Sequence, residues 1–122
     1  MKLDYDYGRL NMDNSVSSIE MLARLFNLSL RKRGFTKAIH RQMNPGQSSG
    51  VLQQPFGVIG LVVTGELELV MSEAREFYGA GEEFTIPANT YFEATAGING
   101  THLLISKKRL HLNPTTESVY AD

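Results

Sequence analysis

The stretch that decides the fold covers residues 58–92 and reads VIGLVVTGELELVMSEAREFYGAGEEFTIPANTYF. Two apolar runs flank Gly65, and a short charged loop then leads into an AGEEFTIP segment. Leu67, Leu69 and Met71 alternate with less apolar neighbours, which is the two-residue period of a strand with one buried face. This stretch therefore predicts a β-hairpin core, not a helix.

The end of the stretch resembles the second signature of the cupins, small jelly-roll barrels that hold a metal or a small molecule in their centre. In that signature a Gly and a Pro are separated by five residues, and a second Gly and a His follow the Pro. Gly81 and Pro87 fit this spacing, Asn89 takes the place of the second Gly, and Phe92 takes the place of the His. Asn tolerates the left-handed backbone conformation that Gly adopts at such a turn.

The first cupin signature has two His one residue apart, a Glu four or five residues later, and a Gly seven residues after that Glu. Counting back from Gly65 places Val58 at the Glu position. The same count places the His pair at Leu52 and Gln54, or at Val51 and Gln53. The resemblance covers residues 36–106 and implies a mainly β, single-domain jelly-roll barrel.

The residues at these signature positions predict a barrel without a metal. A divalent ion of this class needs about three or four nitrogen or oxygen ligands that converge on it. Val58 and Phe92 offer hydrocarbon, and one glutamine amide is a poor substitute. We therefore expect no metal ligands and no cofactor, and an apolar pocket in place of the metal.

Length and composition fit one soluble β domain. The chain has 122 residues, of which 42% are hydrophobic and 20% charged, and eleven are glycines. The sequence divides into an N-terminal tail or edge segment at 1–16, a cupin barrel with a short N-terminal helix at 17–110, and a C-terminal tail at 111–122. Polar ends of this kind are usually mobile unless they are docked.

Charge and cysteine content bound the class of partner. Twelve basic and thirteen acidic residues leave a net charge of -1, so no global field favours nucleic acid or an anionic membrane. Two short basic runs, 31–33 and 107–109, lack the interleaved aromatic residues of a nucleic-acid platform. There is no cysteine, no apolar signal region and no stretch of about 18 apolar residues. We therefore expect a cytoplasmic protein that binds neither nucleic acid nor membrane.

A short helix precedes the barrel. Ser17 and Glu20 fit a capping box, and an apolar face follows with the helical spacing i, i+3, i+4 and i+7. The helix is expected over 18–26, followed by a strand that turns at Gly34. The alternative is a longer helix that ends in a basic last turn with Gly34 as its C-cap.

The run at residues 58–64 is almost continuously apolar, which is typical of a strand buried on both faces. In a small jelly roll one of these faces lines the barrel interior. The other face is then expected to meet a second subunit, so the sequence predicts a homodimer.

A small set of side chains can line a pocket in the barrel. Phe84 and Phe92 are expected to point inward, and His40 and His102 lie in strands that can meet inside a closed barrel. A few polar groups in an apolar pocket are the usual profile of a small-molecule site, and a His of near-neutral pKa is a common proton carrier. The predicted pocket consists of His40, Gln42, Gln53, Gln54, Phe84, Phe92 and His102.

Three functions stay open at this point. The first is binding of an unknown small molecule in the pocket of a metal-free cupin. The second is catalysis, because residues 63–69 and 80–87 together with Phe92 also resemble the small cupins that act as pyrimidine and purine nucleoside phosphorylases. The third is a non-catalytic structural or dimerisation module, which a barrel filled by side chains favours.

Overall fold

The computed structural model describes residues 16–109, with only the backbone described at 16 and 17. The segment before residue 16 and the predicted tail at 111–122 lie outside the described residues, as does the side chain of the predicted N-cap, Ser17. One helix and six strands follow in chain order: α1 (Val16–Lys32), β1 (Ile39–Met43), β2 (Ser48–Leu52), β3 (Val58–Met71), β4 (Ala74–Gly79), β5 (Glu83–Ile86) and β6 (Phe92–Lys107). Within residues 16–109, no helix has both the length and the apolar composition that a membrane span requires.

The six strands form one hydrogen-bonded sheet, in which the long strands β3 and β6 pair along most of their length. The two halves of these strands have different outer neighbours, and we describe the two resulting parts as two sheets. The first half of β3 and the second half of β6 form one sheet, in the order β1-β6-β3-β5. The other halves form a second sheet, in the order β2-β6-β3-β4. All of these pairs are antiparallel, and the prediction of a mainly β domain with one helix is confirmed.

Both long strands change register at the boundary between the two sheets. Gly65 pairs with Thr101 and Leu67 pairs with Ala96, so four residues of β6 stand opposite a single residue of β3. Gly65 and Gly100 have φ of 82° and 73°, a conformation that favours glycine. A Cβ on Gly65 would lie 2.0 Å from the carbonyl oxygen of Gly100, so the two backbones approach each other more closely than any side chain allows.

The carboxylate of Glu66 holds the extra residues of β6 in place. It accepts hydrogen bonds from the side-chain nitrogen of Asn99 at 2.8 Å and from the backbone nitrogen of Asn99 at 3.4 Å. Glu66 therefore has a structural role at this position, and no catalytic role is needed to explain it.

An apolar cluster fills the space between the two sheets and forms the barrel interior. Phe84, Ile86 and Phe92 are buried in it, and Ala94 packs against it. The buried members are Val58, Val62, Leu67, Leu69, Phe84, Ile86, Phe92 and Leu103; Met43, Phe56, Met71, Tyr78, Ala94 and Ile105 are partly buried around them. Each fully buried aliphatic or aromatic side chain contributes roughly 1.5–3 kcal/mol to folding.

A second apolar cluster covers the opposite face of the first sheet. Ile59, Leu61 and Val63 of β3 are at most 2% exposed. They pack with residues of α1, among them Leu22 and Phe26. The prediction that the run at 58–64 is buried on both faces is therefore confirmed as far as Val63, and Thr64 is exposed. The cover on the second face is supplied by α1 of the same chain. The expected homodimer has no support from this face.

The helix is longer than expected: it covers Val16–Lys32 instead of 18–26. Ser17 therefore lies within the helix and not at its N-cap. Leu30 is fully buried one turn beyond Phe26, so the alternation of Leu28 and Leu30 belongs to a helix and not to a strand. Past the helix end, Phe35 N donates to the carbonyl of Leu30 at 3.0 Å, and Gly34 has φ of 82°. This is the Schellman arrangement, and the alternative of a glycine C-cap at Gly34 is the correct one.

We expect Gly65→Ala to destabilise the protein far more than Gly81→Ala. Both glycines have positive φ, 82° and 88°, so each alanine should cost about 1–2 kcal/mol in backbone strain. A Cβ at Gly81 meets open space, whereas at Gly65 it collides with backbone. Urea unfolding measures the difference. Equal losses for the two variants would contradict the close approach at Gly65.

Replacing Phe26 by Ala should cost roughly 3–5 kcal/mol, because the ring is fully buried between α1 and the first sheet. The matched control is Leu28→Ala on the same helix, where the side chain is 52% exposed and the expected change is under about 0.5 kcal/mol. Urea unfolding at several protein concentrations provides the measurement. A small effect of Phe26→Ala would mean that α1 does not cover the sheet.

Candidate functional site

Two histidines form the most distinctive polar contact of the molecule. His40 Nδ1 lies 2.9 Å from His102 Nε2, within hydrogen-bond distance, and the ring centroids are 5.1 Å apart at an angle of 48°. The contact follows from the register of β1 and β6, in which His102 lies opposite Gln42 and His40 lies opposite Leu104. The two histidines are therefore diagonal neighbours on one face of the sheet.

This face is the one that carries α1. Successive residues of β6 alternate between the two sides, since Leu103 belongs to the interior cluster and Leu104 to the helix-covered cluster. His102 shares the side of Leu104, and so does His40. The expected meeting of the two histidines is thus found, but outside the barrel rather than in its interior.

The environment of His102 favours its neutral form. Burial lowers the pKa of His102 below its ordinary value, and the charge of the neighbouring His40 lowers it further. A neutral imidazole has one nitrogen that donates and one that accepts. The pair can therefore hold a ligand by hydrogen bonds and can pass a proton between its two rings.

The three glutamines of the predicted pocket lie in two separate places. Gln42 is exposed on the outer face beside His102. Gln53 Nε2 donates to the carbonyl of Asn89 at 3.1 Å, and the carbonyl of Gln54 accepts from Asn89 N at 2.7 Å. The latter two residues thus hold a turn whose left-handed residue is Asn89, with φ of 61°, as its place in the motif predicts.

Phe84 and Phe92 point into the barrel interior and belong to its apolar cluster. They are 4% and 8% exposed. The ring of Phe84 covers Gly60, where a Cβ would lie 2.2 Å from it, and also contacts the ring of Tyr78 at 5.5 Å between centroids. Burial raises the pKa of Tyr78 to about 12, and the hydrogen bond that its hydroxyl donates to Glu76 contributes to the shift. Tyr78 therefore stays protonated at neutral pH.

The positions at which the cupin signatures place metal ligands do not fit a divalent ion. Leu52 pairs with Phe92 in the β2–β6 register, and Val58 and Phe92 both belong to the interior cluster. Three hydrocarbon side chains and a glutamine amide do not provide the donors that such an ion needs. Among residues 16–109, no three His, Asp or Glu side chains converge closely enough to bind a metal.

An open groove of about 570 Å³ lies between α1 and β1. Its lining residues include Glu20, Asn27, Lys37 and His40, which bear a carboxylate, an amide, an ammonium and an imidazole; the other lining residues are Ala23, Ala38 and Ile39. Asn27 Oδ1 accepts a hydrogen bond from the backbone nitrogen of Ala38 at 2.8 Å and so fixes the helix against the approach to β1. Sequence reasoning placed only His40 in a site.

The signal that could have identified the groove is weak. Asn is a poor helix former, and Asn27 stands in the middle of an apolar helical segment. Its position indicates a polar contact there, but not the strand that provides the partner.

No protein-family model matches the chain, and no curated protein is similar to it in sequence. Solved structures with the same fold do exist. An RmlC-like cupin from Shewanella frigidimarina is 18% identical with a TM-score of 0.56, and the match covers 64% of this chain and 68% of that one. KdgF from a Halomonas species is 21% identical with a TM-score of 0.52, and the match covers 60% and 68%.

The cupin domain of Schizosaccharomyces pombe Cnp3 is 15% identical with a TM-score of 0.57, and the match covers 63% of this chain and 54% of that one. The chain thus spans about half the length of the Cnp3 structure. These matches confirm the predicted cupin jelly roll. Identities this low establish the fold and no function.

We expect the free energy of unfolding to fall as the pH drops below about 6.5, the ordinary pKa of a histidine. Since the folded state lowers the pKa of His102, the unfolded state binds the proton more readily. The contribution of neutral His102 to the free energy of unfolding is complete above about pH 6.5. It is lost as the pH falls through the pKa that His102 has in the folded state. Urea unfolding between pH 7 and pH 5 measures it.

The variant His102→Gln should show a smaller loss of stability over this pH range. Gln42→Ala is the matched control, because it removes the residue opposite His102 without removing a titratable group. If His102→Gln retains the full pH dependence, the proton is taken up elsewhere.

Proposed function

We propose that this protein is a non-catalytic binding module that holds a small polar molecule in the groove between α1 and β1. The observation that carries the proposal is the composition of this groove. Residues that bear a carboxylate, an amide, an ammonium and an imidazole line it together with two alanines and an isoleucine, in a volume of about 570 Å³. Small-molecule sites have this size and this mixture of apolar surface with a few polar groups.

We place the site in this groove rather than in the barrel interior. Phe84, Phe92 and the residues around them pack the interior as a core, and displacing such side chains would cost several kcal/mol. His40 and His102 were both predicted to line a pocket. Of the two, His40 lines the groove, and it also contacts His102.

The charges of the groove favour a ligand that carries both signs. Glu20 can accept from an ammonium group, and Lys37 and His40 can donate to a carboxylate. Glu20 and Lys37 are both exposed, so each ion pair with the ligand should add at most about 1 kcal/mol. A small zwitterion of the amino-acid type, bound weakly, fits these groups best.

The groove has no group suited to covalent chemistry of the serine or cysteine kind. None of its lining residues carries a hydroxyl or a thiol. The nucleoside phosphorylase alternative requires a substrate pocket, and the packed interior gives it no support. The runner-up is a structural module without a small-molecule ligand. The burial of Phe84 and Phe92 in the interior cluster supports it.

Backbone amide NMR of the labelled protein tests the proposal during titration with amino acids, sugars, and nucleosides with phosphate. A groove ligand should shift the signals of Lys37, Ala38 and His40. Lys37→Gln should weaken its binding about fivefold, the equivalent of roughly 1 kcal/mol. Arg41→Gln is the control, because Arg41 lies next to His40 in sequence but faces the other side of β1.

Other outcomes would overturn the proposal. Shifts confined to Phe84, Phe92 and their neighbours would return the site to the barrel. The absence of shifts with every compound would favour the structural module. Turnover of a nucleoside with phosphate would favour the phosphorylase.

A further inference from the structure

Half of the basic residues of this chain lie in two short runs that the fold brings together. The runs are Arg31, Lys32 and Arg33 at the end of α1, and Lys107, Lys108 and Arg109 at the end of β6. The backbone nitrogen of Arg109 donates to the carbonyl of Gly34 at 2.9 Å, and Phe35 forms a β-bridge with Lys108. The last residues of β6 thus run directly beside the segment that follows α1. We call these six residues the basic cluster.

The basic cluster gives one end of the molecule a strong local charge. All six side chains are exposed. Among residues 16–109, the carboxylate that pairs with them is that of Glu83, which lies 3.1 Å from Arg33. Within this part of the chain, six positive charges less this one negative charge leave +5 in the cluster, on a chain whose net charge is -1. The expectation that no global field favours an anionic surface rested on the net charge, and a local cluster of this kind is compatible with it.

Local structural roles account for part of this cluster only. Arg31 and Lys32 complement the dipole at the end of α1, and this is their ordinary role. Lys107 and Lys108 lie at the end of a strand, where no such dipole exists. Each contacts a phenylalanine ring, which leaves its positive charge without a carboxylate in the ion pairs of the described residues. Six neighbouring like charges repel one another, so an anionic partner would stabilise the arrangement.

The same helix carries two exposed apolar side chains, Met21 and Leu28, and the half-buried Leu25 between them. Met21, Leu25 and Leu28 have the spacing i, i+4 and i+7 and form a stripe on a different face from the buried Leu22 and Phe26. Met21 is 41% exposed and Leu28 is 52% exposed. Lys32 continues the stripe one turn beyond Leu28.

We infer that this end of the molecule docks on an anionic lipid membrane through the basic cluster and the outer stripe of α1. Each Lys or Arg near such a surface increases the affinity about fivefold, and apolar side chains on a helix in the plane of the interface enter the headgroup layer. A nucleic acid is the weaker candidate. The ammonium groups of Lys107 and Lys108 lie over the rings of Phe56 and Phe35, 5.0 and 5.2 Å from their centroids, so those faces are not free for stacking with bases.

Co-sedimentation with lipid vesicles tests the inference. The full chain should bind vesicles of phosphatidylcholine that contain phosphatidylserine, should not bind vesicles of phosphatidylcholine alone, and should dissociate at high salt. Lys32→Gln combined with Arg109→Gln should weaken binding roughly thirtyfold. The charge-matched control is Arg41→Gln combined with Arg75→Gln, two exposed residues outside the basic cluster, and should change binding little.

A second pair of variants separates a membrane from a nucleic acid. Leu28→Ser should weaken binding to the vesicles severalfold, whereas Ile98→Ser, at a side chain 81% exposed on another part of the surface, should not. A short DNA duplex serves as the competing polyanion. DNA binding that exceeds vesicle binding and ignores Leu28→Ser would overturn the membrane inference, and so would failure to bind the phosphatidylserine vesicles at low salt. Lys37→Gln, which tests the groove, should leave vesicle binding almost unchanged.

Discussion

The close approach of Gly65 to Gly100 is the constraint on which the rest of the structure depends. At this point the two central strands change register, and each passes from one sheet into the other. A side chain at Gly65 would hold the strands apart and prevent the sheets from closing on one interior. The interior cluster, the position of Phe84 against Gly60 and the shape of the barrel all follow from this contact.

The helix that precedes the barrel is the second feature on which the structure depends. It covers the outer face of the first sheet, so the apolar residues of β3 find partners on both sides within one chain. Because the cover is a helix and not another sheet, it leaves a groove where α1 and β1 diverge. It also ends beside the last residues of β6. Both surfaces with a proposed role, the groove and the basic cluster, therefore exist because α1 packs where it does.

The fold could be predicted from the sequence at positions where the backbone conformation favours particular residue types. Gly81 and Asn89 have positive φ, and their spacing around Pro87 is visible in the chain. The alternation of Leu67 and Leu69 likewise reports a buried face directly. The end of the helix was missed because two leucines, at 28 and 30, were too few to distinguish a period of two from a period of 3.6.

The location of the site could not be predicted in the same way. Before the four extra residues of β6, the even-numbered Phe92, Ala94 and Ala96 lie on the inner side; beyond them, the odd-numbered Leu103 and Ile105 do. The sequence does not show how this insertion shifts the alternation, so His102 was assigned to the wrong side of the sheet. The proximity of the two basic runs could not be predicted either, because the runs are more than seventy residues apart in the sequence.

The arrangement of β6 also has a consequence for biosynthesis. This strand is the last of the described strands to be translated, yet it pairs with β1, β2 and β3 and lies at the centre of both sheets. A nascent chain that has emerged only as far as β5 can form α1 and the hairpin of β3 and β4, but neither sheet has its central partner. Folding into the barrel must therefore wait until Lys107 has left the ribosome. Until then the apolar face of β3 is exposed to the chaperones that meet newly made chains.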